Sequence, residues 1–178
     1  MKKTRTIILS VVVIMVLCVS CTRQETDIGK MEEIARATQN IADTSTAYRD
    51  ETEVALQPST GQKAQLTLFL FEEKEKSAYT YSLYRDGEFV EGGDPMIDKS
   101  NTLSVLRSSS VQPDIFLLFY SGDASVDKVI FADEDEKALY EIGLENTTRV
   151  KILTKKVFSN VTCYYLVKDN AVIKKSAI

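Results

Sequence analysis

The chain contains no histidine and no tryptophan, and of its 178 residues only three are cysteine, three proline and seven glycine. Each shortage removes a class of chemistry. Without histidine there is no Ser-His-Asp or Cys-His pairing, no imidazole general base, and no route to most zinc or iron ligand sets. With glycine sparse, neither a Walker-type loop nor a dinucleotide fingerprint occurs, because Gly92-Gly93 follows a strand-like run and opens no helix. No cofactor and no metal set is therefore expected. Repeats and low-complexity tracts are missing too, so one globular domain is the default arrangement.

What the chain does have begins at its first residue. Lys2, Lys3 and Arg5 precede an apolar run from Ile7 to Val19, and Ser20-Cys21 follows. The run is about thirteen residues, short of the ~20 that a membrane-crossing helix needs, which fits the apolar core of a signal peptide. Cleavage favours a small residue before the cut. Ser20 supplies one before Cys21, whereas Leu17 before Cys18 does not. Residues 1–20 are accordingly read as a signal peptide and Cys21 as the first mature residue.

Leu17-Cys18-Val19-Ser20-Cys21 resembles the lipobox of bacterial lipoprotein precursors. The resemblance implies that the Cys21 sulfur carries a diacylglyceryl group and that acyl chains hold the protein on the extracytoplasmic face of the cell membrane. Cys18 stands where that motif usually has Leu or another aliphatic residue. An uncleaved anchor extended through Thr22, or plain secretion, are the alternatives.

Removing the signal takes three of the 22 basic residues and none of the 26 acidic ones, which moves the net charge from −4 to about −7. Such a balance disfavours nucleic acid and anionic surfaces, which are bound through basic patches. Cys163 is then the one cysteine left in the body of the chain, with no disulfide partner. It alternates with Val161, Tyr165 and Val167, so it is expected as a small buried hydrophobe on a strand.

Along the mature chain, Thr22 to about Lys30 is polar and reads as a tether. Ile28, Met31, Ile34, Ala35, Ile41 and Ala42 recur at helical spacing, with Glu32 and Arg36 placed to pair at i,i+4. This predicts an amphipathic stalk helix whose apolar stripe meets a partner helix or its own domain. Residues 21–57 are assigned to the lipidated terminus, tether and stalk. Pro58-Ser59-Thr60-Gly61 marks the change to a β-rich domain, 58–178.

In that domain Leu66 to Phe71 is apolar on both faces and reads as a central strand. Tyr79 to Tyr84, Asp86-Gly87 and Glu88 to Glu91 predict a hairpin that ends at Gly92-Gly93. Leu103 to Leu106 suggests a short strand or helical turn. Ile115 to Tyr120 and Val126 to Ala132 read as a second hairpin across a five-residue loop. Ala138 to Leu144, Arg149 to Phe158, Val161 to Val167 and, after Asp169-Asn170, Ala171 to Lys174 continue the strands. The expected fold is mainly β, an antiparallel sandwich or curled sheet of about seven or eight strands.

This order of features resembles small envelope lipoproteins of Gram-positive bacteria whose role is not established. The carrying residues are Leu68-Phe69-Leu70-Phe71, Tyr79 to Tyr84, Phe89-Val90-Glu91-Gly92-Gly93, Phe116 to Gly122, Val126 to Val129 and Lys168 to Ile173. The resemblance implies a β-rich envelope module and brings no catalytic residues.

Three groups remain as candidate chemistry. Glu88, Glu91, Asp94 and Asp98 lie near one turn and could serve as paired carboxylates, although nothing in their spacing fixes the separation that glycosidase chemistry needs. Asp133 to Glu136, with Asp123 and Asp127, offer oxygen ligands for a cation but lack the EF-hand glycine, since Ala138 stands at its place. Solvated acidic turns explain both groups. Tyr79, Tyr81, Tyr84, Tyr120, Tyr140, Tyr164 and Tyr165 all fall in or beside strands, and one exposed among them could bind a glycan, a peptide or another envelope protein.

The expected function is that of a membrane-anchored binding or accessory module of the cell envelope, with no nucleic-acid partner. An envelope hydrolase using carboxylates, or a structural or stress-related protein that self-associates through the stalk helix, are the alternatives.

Overall fold

The computed structural model describes residues 27–57, 61–93, 102–111, 114–122, 125–144, 149–154 and 158–178. The chain is mainly β and wholly antiparallel, as expected: one helix and eleven strands form three sheets among the described residues. Cys21, the preceding apolar run, Asp94, Asp98 and Asp123 lie outside the described residues.

Helix α1 spans Ile28–Gln39. Asp27 caps it, accepting from the Lys30 amide at 3.3 Å, and Asn40 ends it in the left-handed region while the Ile41 amide reaches back to the Arg36 carbonyl at 2.8 Å. The Glu32–Arg36 pair forms at 2.8 Å. Arg36 also donates to the Ala42 carbonyl and to Ser45, and lies over the Phe71 ring, so the turn after the helix is pinned. Met31, Ala35 and Ile41 bury themselves against Phe69, Phe71 and Tyr84. The helix therefore packs on its own domain, and Ile34, which the helical spacing had grouped with the apolar stripe, is 48% exposed.

The first sheet has the order β1-β2-β3-β4, with β1 at Thr46–Gln57, β2 at Gln62–Glu72, β3 at Thr80–Arg85 and β4 at Glu88–Gly93. β1 corrects the sequence reading, which left residues 46–57 in the tether and stalk. Its inward positions are Tyr48, Asp50, Thr52 and Val54, opposite Leu70, Leu68, Leu66 and Ala64, so the apolar alternation that flags a strand is half missing. β2 is buried on both faces, as a central strand should be. The β3–β4 turn has Asp86 at φ 51 and Gly87 at φ 87, the double positive φ that matches strand twist and that makes Asp-Gly a hairpin signal. Gly92-Gly93 closes β4, where the hairpin was expected to end, and a Cβ at Gly92 would stand 2.5 Å from the Tyr81 carbonyl oxygen.

The second sheet is β5-β6-β9, at Leu103–Ser108, Ile115–Tyr120 and Val150–Thr154; the third is β11-β10-β7-β8, at Ala171–Ala177, Cys163–Lys168, Lys128–Ala132 and Ala138–Gly143. The second expected hairpin does not form. β6 and β7 belong to different sheets, because β6 is apolar on both faces and takes β5 and β9 as neighbours, while β7 pairs with β8 and β10. Leu103 to Leu106 proves to be strand, and the strand expected across 149–158 stops at Thr154. Asp169 (φ 50) and Asn170 (φ 61) make the β10–β11 turn.

The layers run helix, first sheet, second sheet, third sheet. One core lies between the first and second sheets, where Leu66, Leu68, Leu70 and Leu83 meet Ile115, Leu117, Phe119 and Ile152. Another lies between the second and third, where Leu118, Tyr120 and Leu153 meet Val129, Phe131, Tyr164 and Leu166. The second sheet is thus covered on both faces.

Candidate binding site

The two edges of the first core are finished differently. On one edge, β1 and β9 are joined: the Asp50 carboxylate accepts from the Ile152 amide at 2.8 Å and pairs with Lys151 at 2.8 Å. On the other edge stand β4 and β5, the outermost strands of their sheets. The described link there is a single hydrogen bond, from the Ser110 hydroxyl to Glu91 Oε2 at 2.5 Å.

β3 and β5 determine what faces this edge. Glu91 stands opposite Leu83, which is in the first core, so its carboxylate turns between the sheets and not toward the helix side. Ser108 stands opposite Ile115 of the same core and is 2% exposed. Glu91 Oε1 and Ser108 Oγ are both out of contact with water and make no hydrogen bond among the described residues. Tyr81 completes the group: it packs against Phe119 with ring centroids 5.8 Å apart, and burial, assisted by the Glu91 charge, pushes its phenol above the ordinary tyrosine range.

Two of the other carboxylates singled out in the sequence hold backbone. Asp133 Oδ1 accepts from the amides of Asp135 and Lys137 and so builds the β7–β8 turn. Asp127 accepts from the Asp169 amide at 2.6 Å. Glu136 pairs with Lys175, which draws its carboxyl below the usual range. Glu88 is exposed at the hairpin end. Among the described residues no group of three or more acidic or cysteine side chains is arranged to hold a metal. A depression of about 390 Å³ beside Asp133, Glu134 and Asp135 and another of about 420 Å³ beside Ser45 and Glu73 are open, loop-lined dents. Glu91 alone of the four turn carboxylates is both described and turned inward.

The tyrosines divide by layer. Tyr79, Tyr84, Tyr120 and Tyr164 are buried, and Tyr81, Tyr140 and Tyr165 are half-buried, so none is a fully exposed platform. Sequence reasoning missed a second cluster at the end of the first core, where Tyr48 donates to Glu72 at 2.9 Å beside Tyr79 and Arg149. Burial, then the Glu72 charge, pushes the Tyr79 phenol up to about 12. Arg149 donates to the Gly122 carbonyl at 2.8 Å and lies over the Tyr120 ring. Cys163 is free and buried, as expected.

No helix among the described residues is long and apolar enough to cross a membrane. No family model, curated protein or solved structure matches the chain.

Proposed function

We propose that the protein is a membrane-anchored extracytoplasmic lipoprotein, acylated at Cys21, whose β domain serves the cell envelope as a binding or accessory module. The observation that carries this reading is the join between anchor and domain. Asp27 caps a helix that is packed on the first sheet, only six residues after Cys21. Six residues reach at most ~20 Å, so an anchor at Cys21 holds the domain against the membrane surface and leaves no free stalk. The inward-facing Glu91, bonded to the Ser110 hydroxyl and with no second described carboxylate singled out beside it, suits holding a ligand better than cutting one. Self-association through the helix is the weaker reading, because the stripe it would use is occupied by Phe69, Phe71 and Tyr84.

The test is Cys21→Ser in the full chain, followed by membrane fractionation and labelling with a radioactive fatty acid. Loss of label and release from the membrane fraction are expected. Unchanged labelling removes Cys21 as the anchor.

A further inference from the structure

We propose that helix α1 exchanges its apolar stripe between the first sheet and the lipid surface beside it, and is thus the part of the domain that lies on the membrane. The inference rests on the anchored-lipoprotein reading and adds to it a specific contact with lipid.

The seat beneath the helix differs from the two cores. Strand register sets Thr67 beside Tyr84, Phe69 beside Ser82 and Phe71 beside Thr80, all on the face that α1 covers. Three of the four buried polar residues among the described ones, Thr67, Thr80 and Ser82, are on this face, whereas the opposite face of the same strands carries Leu66, Leu68, Leu70 and Leu83. The hydroxyls of Ser82 and Tyr84 are out of contact with water and make no hydrogen bond among the described residues. A covered hydroxyl without a partner is unfavourable, and uncovering it lets water bond it, so this seat holds the helix weakly for its area. The hydrogen bonds of Asp27, Arg36 and Ile41 run within the helix and the turn at 42–45, and they travel with it.

The stripe fits a flat apolar surface better than it fits this seat. At 3.6 residues per turn, Ile28, Met31, Ile34 and Ala35 fall within ~120° of arc. The sheet buries Met31 and Ala35, yet Ile28 is only half-buried and Ile34 is 48% exposed. A lipid interface takes all four at once. Lys30 and Arg36 balance Glu32 and Glu33, so charge does not hold the helix off a lipid surface. Lipid is also the nearest apolar surface, because Asp27 stands six residues after Cys21. With so short a link the effective concentration of the two is on the order of millimolar, which lets a short stripe compete with its seat on the sheet.

The chain has no tryptophan, so Ile34→Trp introduces a sole reporter. The acylated full chain is reconstituted in phosphatidylcholine vesicles and recovered by flotation, and its emission is compared with and without bromine on the acyl chains. Val172→Trp, at an exposed position of the third sheet, is the control. Quenching of Ile34→Trp and none of Val172→Trp are expected. Adding Ser82→Ala with Tyr84→Phe, which removes the partnerless hydroxyls, is expected to lower the ratio of lipid-bound to seated helix about tenfold. Ala35→Leu, which overfills the seat but suits lipid, is expected to raise it. Floating protein whose Ile34→Trp emission is unquenched, or is quenched equally with Val172→Trp, overturns the proposal. Quenching that neither change to the seat alters shows that Ile34 meets lipid while α1 stays on the sheet, and also overturns it. Protein that fails to float removes the anchor itself, and because flotation is read separately the two failures are told apart.

Discussion

Asp50 replaces a backbone neighbour with a side chain. β9 is the outer strand of its sheet, and the amide of Ile152 would face the edge unpaired without the Asp50 carboxylate, which takes Lys151 as well. Asp50→Ala is expected to cost about 2–4 kcal/mol, measured as a shift in urea midpoint, because it orphans a partly buried amide and frees a lysine. Ser82→Ala tests the opposite case. Ser82 is fully buried and its hydroxyl has no partner, so removing it is expected to leave stability unchanged or raise it by up to ~1 kcal/mol. A loss beyond ~1 kcal/mol in the same urea titration would show that the hydroxyl is bonded. At this scale the sequence was half legible. Glu91 was one of four carboxylates noted near a turn, with nothing to set it apart, and Cys163 declared its burial by alternation. Ser108 and Ser110 did not, because hydroxyls in a Ser-Ser-Ser run look like loop; the one available signal was that the run follows Val105-Leu106-Arg107, with Ser108 still in the strand. Arg149 and Tyr48 are 101 residues apart, and only the pairing of sheets brings them together.

The helix was legible from its spacing, and its packing on its own domain is one of the placements that spacing allowed. Its i,i+4 pair and its apolar spacing were visible, whereas its caps Asp27 and Asn40 were not singled out, and periodicity says only that a stripe is covered, not what covers it. Ala35 is fully buried at the centre of the contact with the first sheet. Ala35→Asp is expected to detach the helix while the sheets remain, at a cost of about 2–4 kcal/mol, read as loss of hydrogen-exchange protection confined to residues 28–41. Uniform loss of protection would mean that helix and sheet unfold as one unit. The strands divide along similar lines. Asp86-Gly87 and Asp169-Asn170 announced their hairpins through residues that accept positive φ. β1 was hidden by Arg49, Asp50, Glu51 and Glu53, whose charges are absorbed by surface pairs with each other, Lys63 and β9. The failed hairpin between β6 and β7 came from nearness in sequence, which short loops make a good guide and doubly buried strands do not.

For the whole molecule, the tyrosines set an alkaline limit. Burial raises Tyr48, Tyr79, Tyr81 and Tyr84 above the value of 10.0 that they regain on unfolding, with Tyr79 at about 12. A group raised in the folded state favours folding fully below its unfolded value and loses that contribution as pH climbs to the folded one. Stability is therefore expected to be flat up to about pH 9 and to fall between pH 10 and 12, and Tyr79→Phe is expected to flatten part of that fall. The check is the thermal midpoint of both proteins at pH 8, 10 and 11.5. A Tyr79→Phe protein with an unchanged slope would assign the loss to other groups. The layered order of sheets was not legible at all, since a count of strands contains no information about which apolar face meets which.

The sheet enclosed on both sides also sets the order in which the chain can become safe. Its middle strand, Ile115-Phe116-Leu117-Leu118-Phe119-Tyr120, leaves the ribosome and any export channel well before its neighbour Val150–Thr154 is present to complete the sheet. For that interval, a six-residue stretch of high β-propensity, with no charge and no proline, has an open side; this is the composition from which cross-β stacks nucleate. Folding yield, more than equilibrium stability, is thus the quantity that substitutions at the far end of the chain control. A chain cut before residue 150 would be expected to collect as insoluble aggregate even though every residue of the first sheet is intact.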